Sequence, residues 1–152
     1  MNNLKFVPIS VSEQTPVAEL IKKLYQQDMD NSKITMVDEK IRKTFKRAIQ
    51  DPEHLKIEVF KIKNKIIGYA IVFTFWSNEY GGLIFNIDEL YIIPEFRNKG
   101  IATIYIRKLK KKTAGKAGLS LEVMPGNKKA LKLYNRLEFN DTGRRHLIKL
   151  LK

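Results

Sequence analysis

The spacing of apolar residues changes several times along this chain, and each change marks an element. Residues 4–9 hold Leu4, Phe6, Val7 and Ile9 in a short run that predicts a strand. From Pro16, Val17, Leu20, Ile21 and Leu24 recur at helical spacing, with Ser12 and Thr15 as cap candidates. A second helix is predicted over 37–50, with Ile41, Phe45, Ala48 and Ile49 inward and Lys40, Lys43 and Lys46 outward. Asp51-Pro52 ends it, because proline disfavours helix in the residue before it.

The period then drops to two. Residues 54–62 alternate Leu55, Ile57, Val59 and Phe60 with polar residues, a half-buried strand pattern. A turn at 63–65 leads into a β-branched and aromatic strand over 66–76, making a hairpin. A loop at 77–82 precedes a strand at 83–93. After a short basic loop come a helix to about Lys112, a glycine turn at 115–118, a strand at 119–124 and a helix at 127–137. Terminal strands are predicted in 139–151 around Gly143. The order βααβββαβαββ fits a mixed, mostly antiparallel sheet flanked by helices, of α/β (α+β) class. The strand–helix–strand passage through the basic loop implies a right-handed crossover between parallel neighbours.

At 152 residues the chain is expected to form one domain, 1–152. It has no cysteine, and His54 and His146 are far apart in sequence, so no metal site is expected. No apolar run reaches the ~20 residues of a membrane span, and the first residues lack a signal-peptide core; the expected location is cytoplasmic, with no membrane partner. Charge changes the picture more. Residues 1–90 carry 13 Lys/Arg against 12 Asp/Glu, whereas 91–152 carry 16 against 4. The positive excess starts at the basic loop, which suits an anionic ligand or nucleic acid.

That loop is Arg97-Asn98-Lys99-Gly100-Ile101-Ala102, followed by Thr103. A strand, a basic loop with Gly and a helix start form an anion cradle. Free N–H groups there point outward, and the helix dipole adds roughly +0.5 charge. One Gly is too few for a dinucleotide fingerprint, and no Gly-Lys-Ser/Thr follows. No Gly-x-Ser-x-Gly elbow supports a nucleophilic serine.

The motifs resemble those of the GNAT N-acetyltransferase superfamily. Its Arg/Gln-x-x-Gly-x-Gly/Ala loop is matched by Arg97, Gly100 and Ala102, after a Leu90-to-Arg97 run like the family's Leu-x-Val-x-Pro-x-x-Arg. Its Asn-x-x-Ala-x-x-Leu-Tyr block is matched by Asn127, Ala130, Leu133 and Tyr134. Glu138-Phe139 stands where the family often has Gly-Phe.

The resemblance implies acetyl transfer from acetyl-CoA to a primary amine, with splayed parallel fourth and fifth strands. Backbone N–H groups from Asn98 to Thr103 would grip the pyrophosphate, with Arg97 or Lys99 adding charge. The backbone at Tyr91, Ile92 and Ile93 would pair with the pantetheine arm. A lysine among 108–112 would either reach the ribose phosphate or face solvent. Tyr134 is the implied acid for the thiolate and Glu89 the implied base, with Glu79 a further option and Asp88 turned away by strand alternation. Asn127 either bonds the pantetheine or caps its helix. Asp28, Trp76, Glu79 and Tyr80 are the acceptor-side candidates, carboxylates beside aromatics that suit a cation. The acceptor is a small amine, an aminoglycoside-like compound, or a peptide or protein amine. Many family members dimerise, so a homodimer is compatible with the resemblance. Without cysteine, attack is direct, in a ternary complex. The alternatives are a basic nucleic-acid-binding module, for which no recognition helix stands out, and an inactive CoA-binding protein.

Overall fold

The computed structural model describes residues 3–27, 35–113 and 115–151. They divide into two compact units, Met1–Glu122 and Val123–Lys152. The first contains β1 (Leu4–Pro8), α1 (Gln14–Gln27), α2 (Asp38–Gln50), β2 (Leu55–Ile62), β3 (Lys65–Ser77), β4 (Gly82–Ile92), α3 (Ile101–Lys112) and β5 (Gly118–Leu121). The second contains α4 (Lys128–Arg136). No helix among the described residues is long and apolar enough to cross a membrane.

The five strands form one sheet in the order β1-β2-β3-β4-β5. All pairs are antiparallel except β4–β5, which α3 joins as a parallel crossover. Alternation divides the sheet's side chains between two cores. Ile57, Val59, Tyr69, Ile71 and Tyr91 share a face with Val17, Leu20 and Ile21 of α1 and Ile41, Phe45 and Ala48 of α2. On the other face Phe6 and Phe60 meet Tyr105 of α3, with ring centroids 4.7–5.2 Å apart. These edge-on and tilted rings add to the burial that fixes α3 against the sheet.

Several boundaries differ from the sequence reading, each for a local reason. The helical region begins earlier than Pro16: the Ser10 N–H donates to the Glu13 carboxylate at 2.8 Å, and a 3-10 turn at Val11–Glu13 runs straight into α1. Ile49 was expected inward but is 61% exposed, because it lies one step past the Ile41–Phe45–Ala48 stripe. The terminal strands do not form: residues 139–151 carry no regular structure, and Leu147 is 89% exposed. A strand is held by its ladder and by burial of one face; that segment has neither.

Two details of β4 matter most. Glu89 pairs with Ile71 and Ile87 with Val72, so Asp88 is an extra residue, a bulge opposite no β3 partner. Further along, β5 ends at Leu121 opposite Ile87, while β4 runs on through 88–92 alongside β3 alone. Gly68 permits that run. A Cβ there would come within 2.3 Å of the Tyr91 carbonyl oxygen, so no other residue fits without moving β4.

Candidate active site

The cradle follows β4 after a 3-10 turn at Pro94–Phe96. Asn98 and Gly100 take left-handed conformations, with φ of 60° and 75°. Asn tolerates that region and Gly favours it. The N–H groups of Asn98, Lys99 and Gly100 donate to no backbone carbonyl among the described residues. Those of Ile101, Ala102 and Thr103 lack intrahelical acceptors because they form the first turn of α3. The result is a row of backbone donors on a coiled loop at a helix N-terminus, a shape suited to phosphate oxygens.

The cradle's cationic side chains are otherwise engaged. Arg97 donates from Nε to the Ile92 carbonyl at 2.7 Å and from a terminal nitrogen to Gln27 Oε1 at 3.0 Å. Its guanidinium lies 5.3 Å from the centre of the Tyr91 ring. Arg97 therefore braces β4 against α1 instead of standing free for a phosphate. Lys99 sits over the Phe96 ring. Further along α3, Lys108 and Lys112 approach Glu58 at 3.3 and 3.2 Å, and Lys108 also donates to the Phe6 carbonyl at 2.9 Å. These two lysines are held by the sheet, which weakens both the ribose-phosphate reading and the nucleic-acid reading.

Glu89 lies on the α1/α2 face of β4 and is 8% exposed. Its Oε2 accepts from the Tyr69 hydroxyl at 2.6 Å, and its Oε1 from the Tyr25 hydroxyl at 3.0 Å. Burial raises its carboxyl above the usual range, the two phenols pull it partly back, and the neighbouring Asp88 charge adds to the rise. In turn, burial and the Glu89 charge push the Tyr69 hydroxyl far up, so it stays protonated and donates. Asp88 was read as turned away by simple alternation, but the bulge interrupts the alternation at that residue. Desolvation and the charge of Glu122, just past the end of β5, hold its carboxyl high.

The other acceptor-side candidates lie elsewhere. Glu79 and Tyr80 occupy the β3–β4 turn and Trp76 the end of β3, all exposed. At ~3.3 Å per strand residue that turn is roughly 20 Å from Glu89, so the structure does not bring Glu79 and Glu89 together. Asp28 lies outside the described residues.

In the second unit, the Asn127 side-chain oxygen accepts the Ala130 N–H at 3.1 Å, capping α4. Tyr134 is half-buried; burial raises its hydroxyl, and its ring meets Phe139 edge-on at 5.8 Å. Glu138 adopts φ of 66°, so a side chain occupies the left-handed position where the resemblance expects Gly. Sequence reasoning missed Tyr25 and Tyr69. They lie 64 and 20 residues from Glu89 in the chain, and no local pattern marks either.

Comparison with known proteins gives this arrangement its context. Residues 18–139 match the Acetyltransferase (GNAT) family. A mouse thialysine N-epsilon-acetyltransferase is 30% identical over 78 residues, covering 50% of this chain and 45% of that protein; the bovine protein is 31% identical over the same length. The chain thus spans about half the length of the curated relatives it matches. A possible acetyltransferase from Clostridium difficile 630 superposes with a TM-score of 0.82 at 17% identity, over 99% of both chains. The aminoglycoside N-acetyltransferase AAC(6')-Iy in complex with CoA gives 0.77 at 17% identity, over 97% of this chain and 94% of that one. At those identities the likeness is one of fold. The family match covers most of the chain, and the chain belongs to the acetyltransferase (GNAT) family of acyltransferases.

Proposed function

We propose that this protein transfers the acetyl group of acetyl-CoA directly to the primary amine of a small cationic acceptor. The observation that carries the reading is the continuity of β4 with the cradle. Strand 88–92 passes beyond β5 with a sheet edge to offer, and leads within a few residues to the donors of 98–103. A pantetheine arm fits along such an edge as an added strand, and a pyrophosphate fits at the loop.

On this reading the N–H groups of 98–103 bind the pyrophosphate, and the backbone of Tyr91, Ile92 and Ile93 binds the arm. An N–H of that stretch stabilises the oxyanion formed as the amine attacks the thioester. Glu89 is the final acceptor of the amine's proton, since a carboxyl raised by burial binds a proton better than an exposed one. Tyr134 of the Asn127–Tyr134 signature donates to the departing thiolate. Support for a cationic acceptor comes from relatives named for thialysine and aminoglycosides.

The test is to incubate the protein with acetyl-CoA and a panel of thialysine, a lysyl peptide and neamine, following thiol release and product mass. At least one amine should be acetylated; no turnover with any of them rejects the reading. Tyr134→Phe should lower turnover far more than CoA binding, and unchanged turnover removes Tyr134 from the acid role.

A further inference from the structure

Glu89 is held by two phenols in different surroundings. Tyr69, on Oε2, is fully buried between β3 and the helices, at 0% exposure. Tyr25, on Oε1, sits in the last helical turns of α1 and is only half-buried. Glu89 itself is nearly closed off. Among the described side chains bonded to it, Tyr25 is therefore the less buried. A phenol can accept a proton on its oxygen while giving up its own, whereas a carboxylate behind it cannot touch an amine it does not meet.

We propose that Tyr25 is a catalytic residue that relays the amine's proton to Glu89. This rests on Glu89 being the base. In the step, the amine nitrogen bonds to the acetyl carbon as its N–H bond breaks toward Tyr25 Oη. The Tyr25 O–H proton passes to Glu89 Oε1, and the C–S bond breaks with its electron pair leaving on sulfur. Tyr25 ends neutral, Glu89 ends protonated, and the same path run backwards returns that proton to solvent. Among the described residues, the titratable and charged groups around the relay include Tyr69 of β3, Asp88 and Tyr91 of β4, and Arg97 over the Tyr91 ring. Arg97 also bonds Gln27, two residues past Tyr25, which ties this part of α1 to the cradle.

Single-turnover acetyl transfer to the best amine of the panel tests the relay. Tyr25→Phe should slow the chemical step about 100-fold, the scale of a lost proton-transfer group. CoA-induced thermal stabilisation should be unchanged. Tyr69→Phe, which removes an equally direct bond to Glu89 from the closed side, should slow it less than about 10-fold. Tyr25→Phe combined with Glu89→Gln should be no slower than Glu89→Gln alone, as residues acting as one unit are not additive. If Glu89→Gln abolishes transfer while Tyr25→Phe stays within about 3-fold of the parent, the relay is wrong and the base stands. If Glu89→Gln transfers normally, the base reading itself fails. The Tyr134→Phe variant, which moves no proton to sulfur, gives an independent reading in H2O/D2O mixtures: a bowed proton inventory supports two protons in flight along the relay, and a linear one overturns it.

Discussion

Two buried glutamates on opposite faces of the same sheet, Glu58 and Glu89, differ in what surrounds them. Glu58 is 7% exposed and Glu89 8%, and each accepts a short bond from a tyrosine, Tyr105 at 2.8 Å and Tyr69 at 2.6 Å. Glu58 then has Lys108 and Lys112 within 3.3 Å, whereas Glu89 has a second phenol. Burial works to raise both carboxyls. At Glu58 the Tyr105 bond and the two lysines outweigh it and hold the group below the usual range, while at Glu89 the phenols do not. Counting cations thus separates a carboxylate that ties α3 to the sheet from one that is ready to take a proton.

The largest effect that would break this contrast is in catalysis. Glu89→Gln should lower kcat/KM about 10²–10⁴-fold while coenzyme affinity holds, and Glu58→Gln should leave the specific activity of folded protein within a few-fold. Steady-state kinetics on both variants reads this directly. Stability should move the other way. Glu58→Gln removes the charge that faces two lysines and one of the two oxygens that accept from them and from Tyr105, and should cost about 1–3 kcal/mol in urea unfolding. Glu89→Gln removes an ionised group that burial disfavours, and should leave stability at pH 7 equal or raised.

The pH dependence sharpens the same point. Glu58 has a lowered folded value, so its contribution is present above the ordinary carboxylate range, about 4.3, and is lost as pH falls through the lower folded value. Glu89 has a raised folded value, so its contribution is present below that range and is lost as pH rises through the folded value. Unfolding free energies from pH 3 to 8 should therefore converge at low pH for Glu58→Gln and the parent, and diverge at neutral pH for Glu89→Gln. The smallest effect lies outside the pair. Glu138→Gly relieves a left-handed conformation and should raise stability by up to about 1 kcal/mol, read as a higher Tm.

What the sequence made legible follows from the range of the forces involved. The cradle could be read because a strand, a glycine and a helix start are neighbours in the chain, and local sterics decide all three. The α2 stripe could be read as far as Ala48, and the error at Ile49 is one step of helical phase. The tail failed for a different reason. Leu147, Ile148, Leu150 and Leu151 are apolar enough for strands, yet pairing depends on a neighbour that the local sequence does not specify. In the candidate site the Glu89 carboxylate was singled out, but the hydroxyls that hold it come from α1 and β3, and only the fold brings them in. Arg97 shows the reverse: its motif position suggested a phosphate, and the fold gave its donors to Ile92 and Gln27.

The bulge at Asp88 acts on β4 much as a frameshift acts on a message. Before it, Ile87 is read against Val72; after it, Glu89 is read against Ile71, with one letter skipped. The two halves of one strand can thus be edited separately, the first for its parallel partner β5 and the second for the face that carries Glu89 and Tyr91. Deleting that one letter would restore a single frame with Glu89 still opposite Ile71. Keeping it and flattening the bulge would instead set Asp88 opposite Ile71 and turn Glu89 toward α3, away from both of its tyrosines.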